Sequence, residues 1–114
     1  MFGMPQITML EKIQTCFHNH KVLYTRHARY EMRTEKFGRI YEEEISELAQ
    51  IGKEIETYID DTPHPSILVA GQTSNGRHLH FVCAYDGEED QAIVVTAYEP
   101  DPNRWIDFTV RKKQ

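Results

Sequence analysis

The sequence predicts an α+β domain in which N-terminal helices pack on one face of an antiparallel sheet of four or more strands. Three observations carry that expectation. Apolar residues recur at three- and four-residue spacing up to about residue 51, the period changes to two after Gly52, and alternating segments then follow one another through turn-forming residues. With 114 residues a single domain is expected: an N-terminal helical segment at 1–21, a core at 22–105 and a C-terminal tail at 106–114.

Ile7, Leu10, Ile13 and Phe17 mark an amphipathic helix of about four turns that begins just after Pro5. Residues 22–25 read as a short extended segment, and Thr25 is placed to cap a second helix running to about Met32, with Ala28 and Met32 inward. A third helix spans about 41–51, with Ile45, Leu48 and Ala49 inward and Gly52 as its stop. Its first turn holds Glu42, Glu43 and Glu44, where the helix dipole favours negative charge. Ile55, Thr57 and Ile59 then alternate against Glu56 and Tyr58 as a strand. Two prolines break the chain at 60–65, 67–70 is a buried strand, 71–76 is a loop holding Asn75-Gly76, and 78–85 and 91–98 are strands joined by a hairpin loop at 86–90. Pro100 and Pro102 end the sheet, Trp105 docks the segment that follows, and 111–114 is a basic tail.

At 39% hydrophobic and 27% charged residues the chain has enough apolar material for a core, which excludes a disordered or low-complexity protein. Its longest apolar runs, 67–70 and 92–95, are too short to span a bilayer, and no secretory signal pattern is present. A cytoplasmic protein without a membrane partner is therefore expected. Cys16 and Cys83 form no C-x-x-C motif and read as reduced core thiols. The formal net charge of −5 hides an asymmetry: +4 over residues 1–40, −7 over 41–62 and −2 over 63–114. A surface gathering Lys21, Arg26, Arg29, Arg33, Lys36 and Arg39 attracts a polyanion, while the overall sign argues against tight, nonspecific nucleic-acid binding.

On the strand 78–85, Leu79, Phe81 and Cys83 point one way and His78, His80, Val82 and Ala84 the other. That second face is expected to be open for a site. If the loop 86–90 joins directly paired strands, Tyr85 lies opposite Gln91, His80 opposite Thr96 and His78 opposite Tyr98. An imidazole beside a hydroxyl, with arginines nearby, is a residue set that RNA cleavage uses without metal or other cofactor. His80 or His27 serves as base or acid because imidazole titrates near neutrality. Arg29, Arg33 or Arg77 holds the phosphate, and Tyr98 is a donor or a platform for a base. A different reading takes His78, His80 and His27 as three metal ligands.

Four motifs together point to a family: Tyr24-Thr25-Arg26-His27-Ala28, then Asp60-Asp61-Thr62-Pro63-His64-Pro65-Ser66, Gly76-Arg77-His78-Leu79-His80, and Thr96-Ala97-Tyr98-Glu99-Pro100-Asp101 followed by Trp105. They resemble a bacterial domain-of-unknown-function family related to the RelE/ParE-like toxins of toxin–antitoxin systems. The resemblance runs from about residue 22 to 105. It implies a RelE-like α+β fold, metal-independent cleavage of mRNA, free or on the ribosome, and an antitoxin partner of zinc-finger or helix-turn-helix type, with no DNA bound directly. His27 matches the T-x-H-A histidine, His80 the L-H histidine, and Thr96, Tyr98 and Trp105 the closing block. Where the family tends to carry arginines after H-A, this chain has Glu31 and Glu35. Two functions of different kinds follow: an endoribonuclease toxin, or a non-catalytic protein-binding module of the same fold.

Overall fold

Thr8 and Thr25 start the first two helices because their hydroxyls accept hydrogen bonds from the N–H groups three positions on, Glu11 at 3.1 Å and Ala28 at 3.0 Å. The computed structural model describes residues 6–113, so positions 1–5 of the predicted N-terminal segment and 114 of the tail lie outside the described residues. The helices are α1 (Met9–His18), α2 (Arg26–Arg33) and α3 (Glu42–Ile51). α1 has ten residues, shorter than the four turns expected, and Ile7 lies outside it at 63% exposure. α3 ends as Gly52 donates its N–H to the Leu48 carbonyl at 2.7 Å.

The strands are β1 (Val22–Tyr24), β2 (Lys53–Tyr58), β3 (Ser66–Gln72), β4 (His78–Asp86), β5 (Gln91–Tyr98), β6 (Trp105–Ile106) and β7 (Val110–Arg111). The first five form one sheet in the order β1-β5-β4-β3-β2, and β6 and β7 form a separate two-stranded hairpin. The fold is α+β as expected and its five strands agree with the four or more expected, but the sheet is mixed, not purely antiparallel. β1 runs parallel to β5, held by Ala92 N–H to the Lys21 carbonyl and Thr25 N–H to the Val94 carbonyl, both 3.0 Å. The chain leaves β1 through α2 and α3 and enters the sheet again at its far edge, which sets the direction of β1.

The register between β4 and β5 corrects the expected one. The loop is one residue shorter, so Asp86 pairs with Gln91, and a bulge at Val95 separates Cys83↔Val94 from Val82↔Thr96. Each change slips the ladder by one position, and together they place His80 opposite Tyr98 instead of Thr96. Because the two slips add to an even number, Thr96 and Tyr98 stay on the face of His80, as expected. A second bulge lies in β2 between Glu54 and Glu56, and it breaks the expected alternation: Thr57 is exposed and Ile59 is 66% exposed.

The helices cover one face of the sheet through Ile13, Phe17, Ala28, Met32, Ile45 and Leu48, which pack with Val69, Leu79, Phe81 and Val94. The Phe17 and Phe81 rings meet edge to face at 6.0 Å. The other face was expected to be open and is not. The segment expected as a tail instead folds into the β6–β7 hairpin, with Trp105 only 5% exposed.

Gly52 has an ordinary φ of −75°, yet a methyl group there would meet the Leu48 carbonyl oxygen at 2.6 Å and a Val69 methyl at 2.8 Å. Gly52→Ala is expected to lower stability by about 2 kcal/mol through overpacking, seen as a lower urea midpoint with an unchanged slope.

Candidate functional site

His80 sits at the centre of the sheet face away from the helices and is fully buried. Its Nε2 is 2.5 Å from the Phe108 carbonyl and its Nδ1 is 3.1 Å from the Tyr98 hydroxyl. A carbonyl only accepts, so Nε2 carries the hydrogen, and Nδ1 of the neutral ring accepts from Tyr98. The Trp105 ring meets His80 edge to face at 4.5 Å. Burial lowers the His80 pKa, with the Phe108 carbonyl opposing the shift. Burial also pushes the Tyr98 phenol up to about 12, so it is a neutral donor.

Next to this pair stands a second polar group that the sequence did not single out. The carboxylate of Glu56 accepts from Arg111 at 2.7 and 3.1 Å and from the Tyr58 hydroxyl. Those bonds, led by Arg111, hold the Glu56 carboxyl below the usual carboxylate range, although desolvation works against them. Arg111 in turn lies 4.7 Å above the Trp105 ring. The signal available in the sequence was the period-two pattern, which already placed Glu56 and Tyr58 on one face.

Thr96 is on this face too, opposite Val82 and two positions from Tyr98. His78 is stacked on the Phe108 ring, centroids 3.8 Å apart and planes 8° apart. His27 lies elsewhere: α2 packs on the opposite face of the sheet, and the His27 side chain is 63% exposed and 3.8 Å from Glu31. The structure therefore does not bring His27 and His80 together, and His27 does not join His78 and His80 as a third ligand. Among the described residues no cluster of three or more His, Cys, Asp or Glu is placed to hold a metal ion.

The three arginines expected to hold phosphate divide into two roles. Arg77 is only 16% exposed, and its donors are spent inside the protein. They reach Glu99 at 3.0 Å, Glu44 at 3.2 Å, the Arg39 carbonyl at 2.9 Å and the Gly38 carbonyl. Arg77 thus ties the β3–β4 turn to the α2–α3 connection and the end of β5. Arg29 and Arg33, one turn apart on α2, share a hollow of about 300 Å³ with Arg39, Tyr41, Glu42 and Glu43. Each of the three guanidinium groups lies over a ring: Arg29 over Tyr24 at 5.4 Å, Arg33 over Tyr30 at 5.8 Å and Arg39 over Tyr41 at 5.2 Å. Arg29 also pairs with Glu42 at 2.9 Å. On the other flank of α2, Glu31 lines a cleft of about 540 Å³ together with Lys36, Tyr98, Arg104, Trp105 and Arg111. Tyr98 thus touches both the buried His80 and an open cleft.

Two measurements check this geometry. Arg77→Lys leaves a single point charge among four acceptors and is expected to cost about 3 kcal/mol in chemical denaturation. The second concerns pH. Because the folded state disfavours protonated His80, the unfolded chain binds the proton more readily; the stabilisation is complete above about pH 6.5 and declines as the pH falls below it. Urea midpoints taken between pH 7.5 and 5 are expected to fall more steeply for the wild type than for His80→Gln.

A search of the curated proteins finds no match to this chain, and a search of the solved structures finds none either. Residues 24–99 match a family described as a domain of unknown function. That span starts at the last residue of β1 and takes in α2, α3 and the strands β2 to β5 with Arg77, His80 and Tyr98, and the chain belongs to the DUF4258 family.

Proposed function

We propose that this protein is a RelE-like, toxin-type protein that engages mRNA, free or on the ribosome, through the arginine–aromatic surface of α2 and the connection after it. One observation carries the reading: Arg29, Arg33 and Arg39 gather around one hollow while each lies against a tyrosine ring. Guanidinium groups present paired N–H donors to phosphate oxygens, and exposed rings offer faces on which unpaired bases stack. Tyr30, Phe37 and Tyr41 are each more than half exposed on this stretch. In this reading an antitoxin of zinc-finger or helix-turn-helix type silences the protein by covering the same surface, and neither membrane nor DNA is a partner.

Metal-independent endoribonuclease activity, with no cofactor, is the catalytic form of this proposal; its candidate group is the exposed His27 of α2, because His80, Tyr98 and Thr96 lie on the other face of the sheet and His80 is buried there. A non-catalytic protein-binding module of the same fold is the second reading. It is favoured by the burial of His80 with both ring nitrogens engaged and by the net charge of −5.

Binding of a fluorescent single-stranded RNA, measured by anisotropy across a salt series, tests the proposal. The double variant Arg29→Ala/Arg33→Ala is expected to bind at least tenfold more weakly, and its salt slope to fall by about 1.4 for two lost phosphate contacts. No binding by the wild type at low salt overturns the RNA reading. Incubation with mRNA, with and without ribosomes and in the presence of EDTA, then separates the two readings: cleavage lost in His27→Ala supports the nuclease, and binding without cleavage supports the module.

A further inference from the structure

We propose that the C-terminal hairpin is a strap that lifts from the sheet without unfolding it, and that lifting it opens the face carrying Glu56, Tyr58, His80 and Tyr98 to RNA. The ligand class rests on the reading above; the strap does not.

Four features of the structure point to it. Among the described residues β6 and β7 pair only with each other, so no strand ladder joins the hairpin to the main sheet. It is fastened by a few contacts: the buried Trp105 ring and the Phe108 carbonyl on His80, Arg111 on Glu56 and the Phe108 ring on His78. Its tip is also strained. Asp107 and Phe108 have φ of 50° and 63°, the left-handed region that a bulky residue such as Phe rarely occupies and that persists only where surrounding contacts impose it. The turn is closed inside the hairpin by the Thr109 N–H to the Ile106 carbonyl at 3.0 Å, so the strap moves as one piece.

The space on either side is already present. The 540 Å³ cleft reaches Tyr98, Trp105 and Arg111, and a second cavity of about 290 Å³ reaches His78, His80 and Phe108. The hairpin divides them, and its removal joins them into one trough across the sheet. The chemistry of the covered face is the last feature. The strap blocks one polar group after another, with Arg111 neutralising the Glu56 carboxylate and a peptide carbonyl occupying the His80 N–H. An open strap leaves a free carboxylate, an imidazole and two phenols together: the carboxylate accepts from ribose hydroxyls, and the phenols and the imidazole N–H donate to phosphate oxygens. Glu56 and Tyr58 thereby join His80 and Tyr98 as groups of the site.

The test uses the full chain. Diethyl pyrocarbonate modification, resolved residue by residue by mass spectrometry, reports when the His80 ring becomes accessible, and amide hydrogen exchange reports whether the sheet remains folded. Arg111→Ala and, separately, Phe108→Ala are expected to raise the rate of His80 modification at least tenfold while the amides of β3 and β4 stay protected. Unchanged rates in both variants overturn the strap, as does a rise matched by equal loss of protection in β4. In the wild type, single-stranded RNA is expected to speed exchange at residues 105–111. RNA that binds without loosening the hairpin overturns the gate and leaves the RNA reading standing. A strap that opens in Arg111→Ala, in a protein that binds no RNA, supports the strap and removes RNA as what it admits.

Discussion

β4 is buried on both faces around His80, and most of the architecture follows from that constraint. Its core side, Leu79, Phe81 and Cys83, is fully covered by the helices, and on its other side His80 is covered just as completely. An antiparallel strand in a two-layer domain ordinarily leaves one face to water, where an imidazole needs no partner. Here it must be satisfied within the protein. The Tyr98 hydroxyl and the Phe108 carbonyl do this, one on the neighbouring strand and one from beyond the prolines, so the position of the C-terminal segment is coupled to the middle of the sheet.

The two faces are therefore held by different physics. The helix side is apolar and close-packed, and it leaves no room for added volume, as the crowding at Gly52 shows. The hairpin side combines the ring contacts of Trp105 and Phe108 with a polar network whose hydrogen bonds have alternative partners in water or in a ligand. Its strength depends on remaining dry, and a network of that kind opens at lower cost than a core.

Much of the fold was legible because local chemistry announced it: Thr25 as a helix cap, the acidic first turn of α3, Gly52 as its stop, and the change of period that follows. What escaped had no local signature. A three-residue β1 carries no information about the direction of its neighbour. The bulge at Val95 holds no glycine, and the β6–β7 turn is built from Asp107 and Phe108 where a glycine or asparagine would have marked it. The site divides in the same way. Arg29 and Arg33 belong to one helix, and their shared surface follows from four-residue spacing. Arg77 read as a free cation because its acceptors, Glu44, Glu99 and the Gly38 and Arg39 carbonyls, come from distant segments. Glu56 shares a face with Tyr58 in the pattern, but its partner Arg111 lay in what read as a tail.

The pairing of β1 with β5 has a consequence for the birth of the molecule. Val22 meets Ala92 in that ladder, so during synthesis β1 has no partner strand until β5 has emerged. Until then α2 lacks the strand it packs against, and the nascent chain exposes Ala28 and Met32 to whatever is nearby. Slow, late closure of this kind is characteristic of topologies with distant contacts. It makes the half-made protein, more than the finished one, the form in greatest need of a chaperone or an early-binding companion.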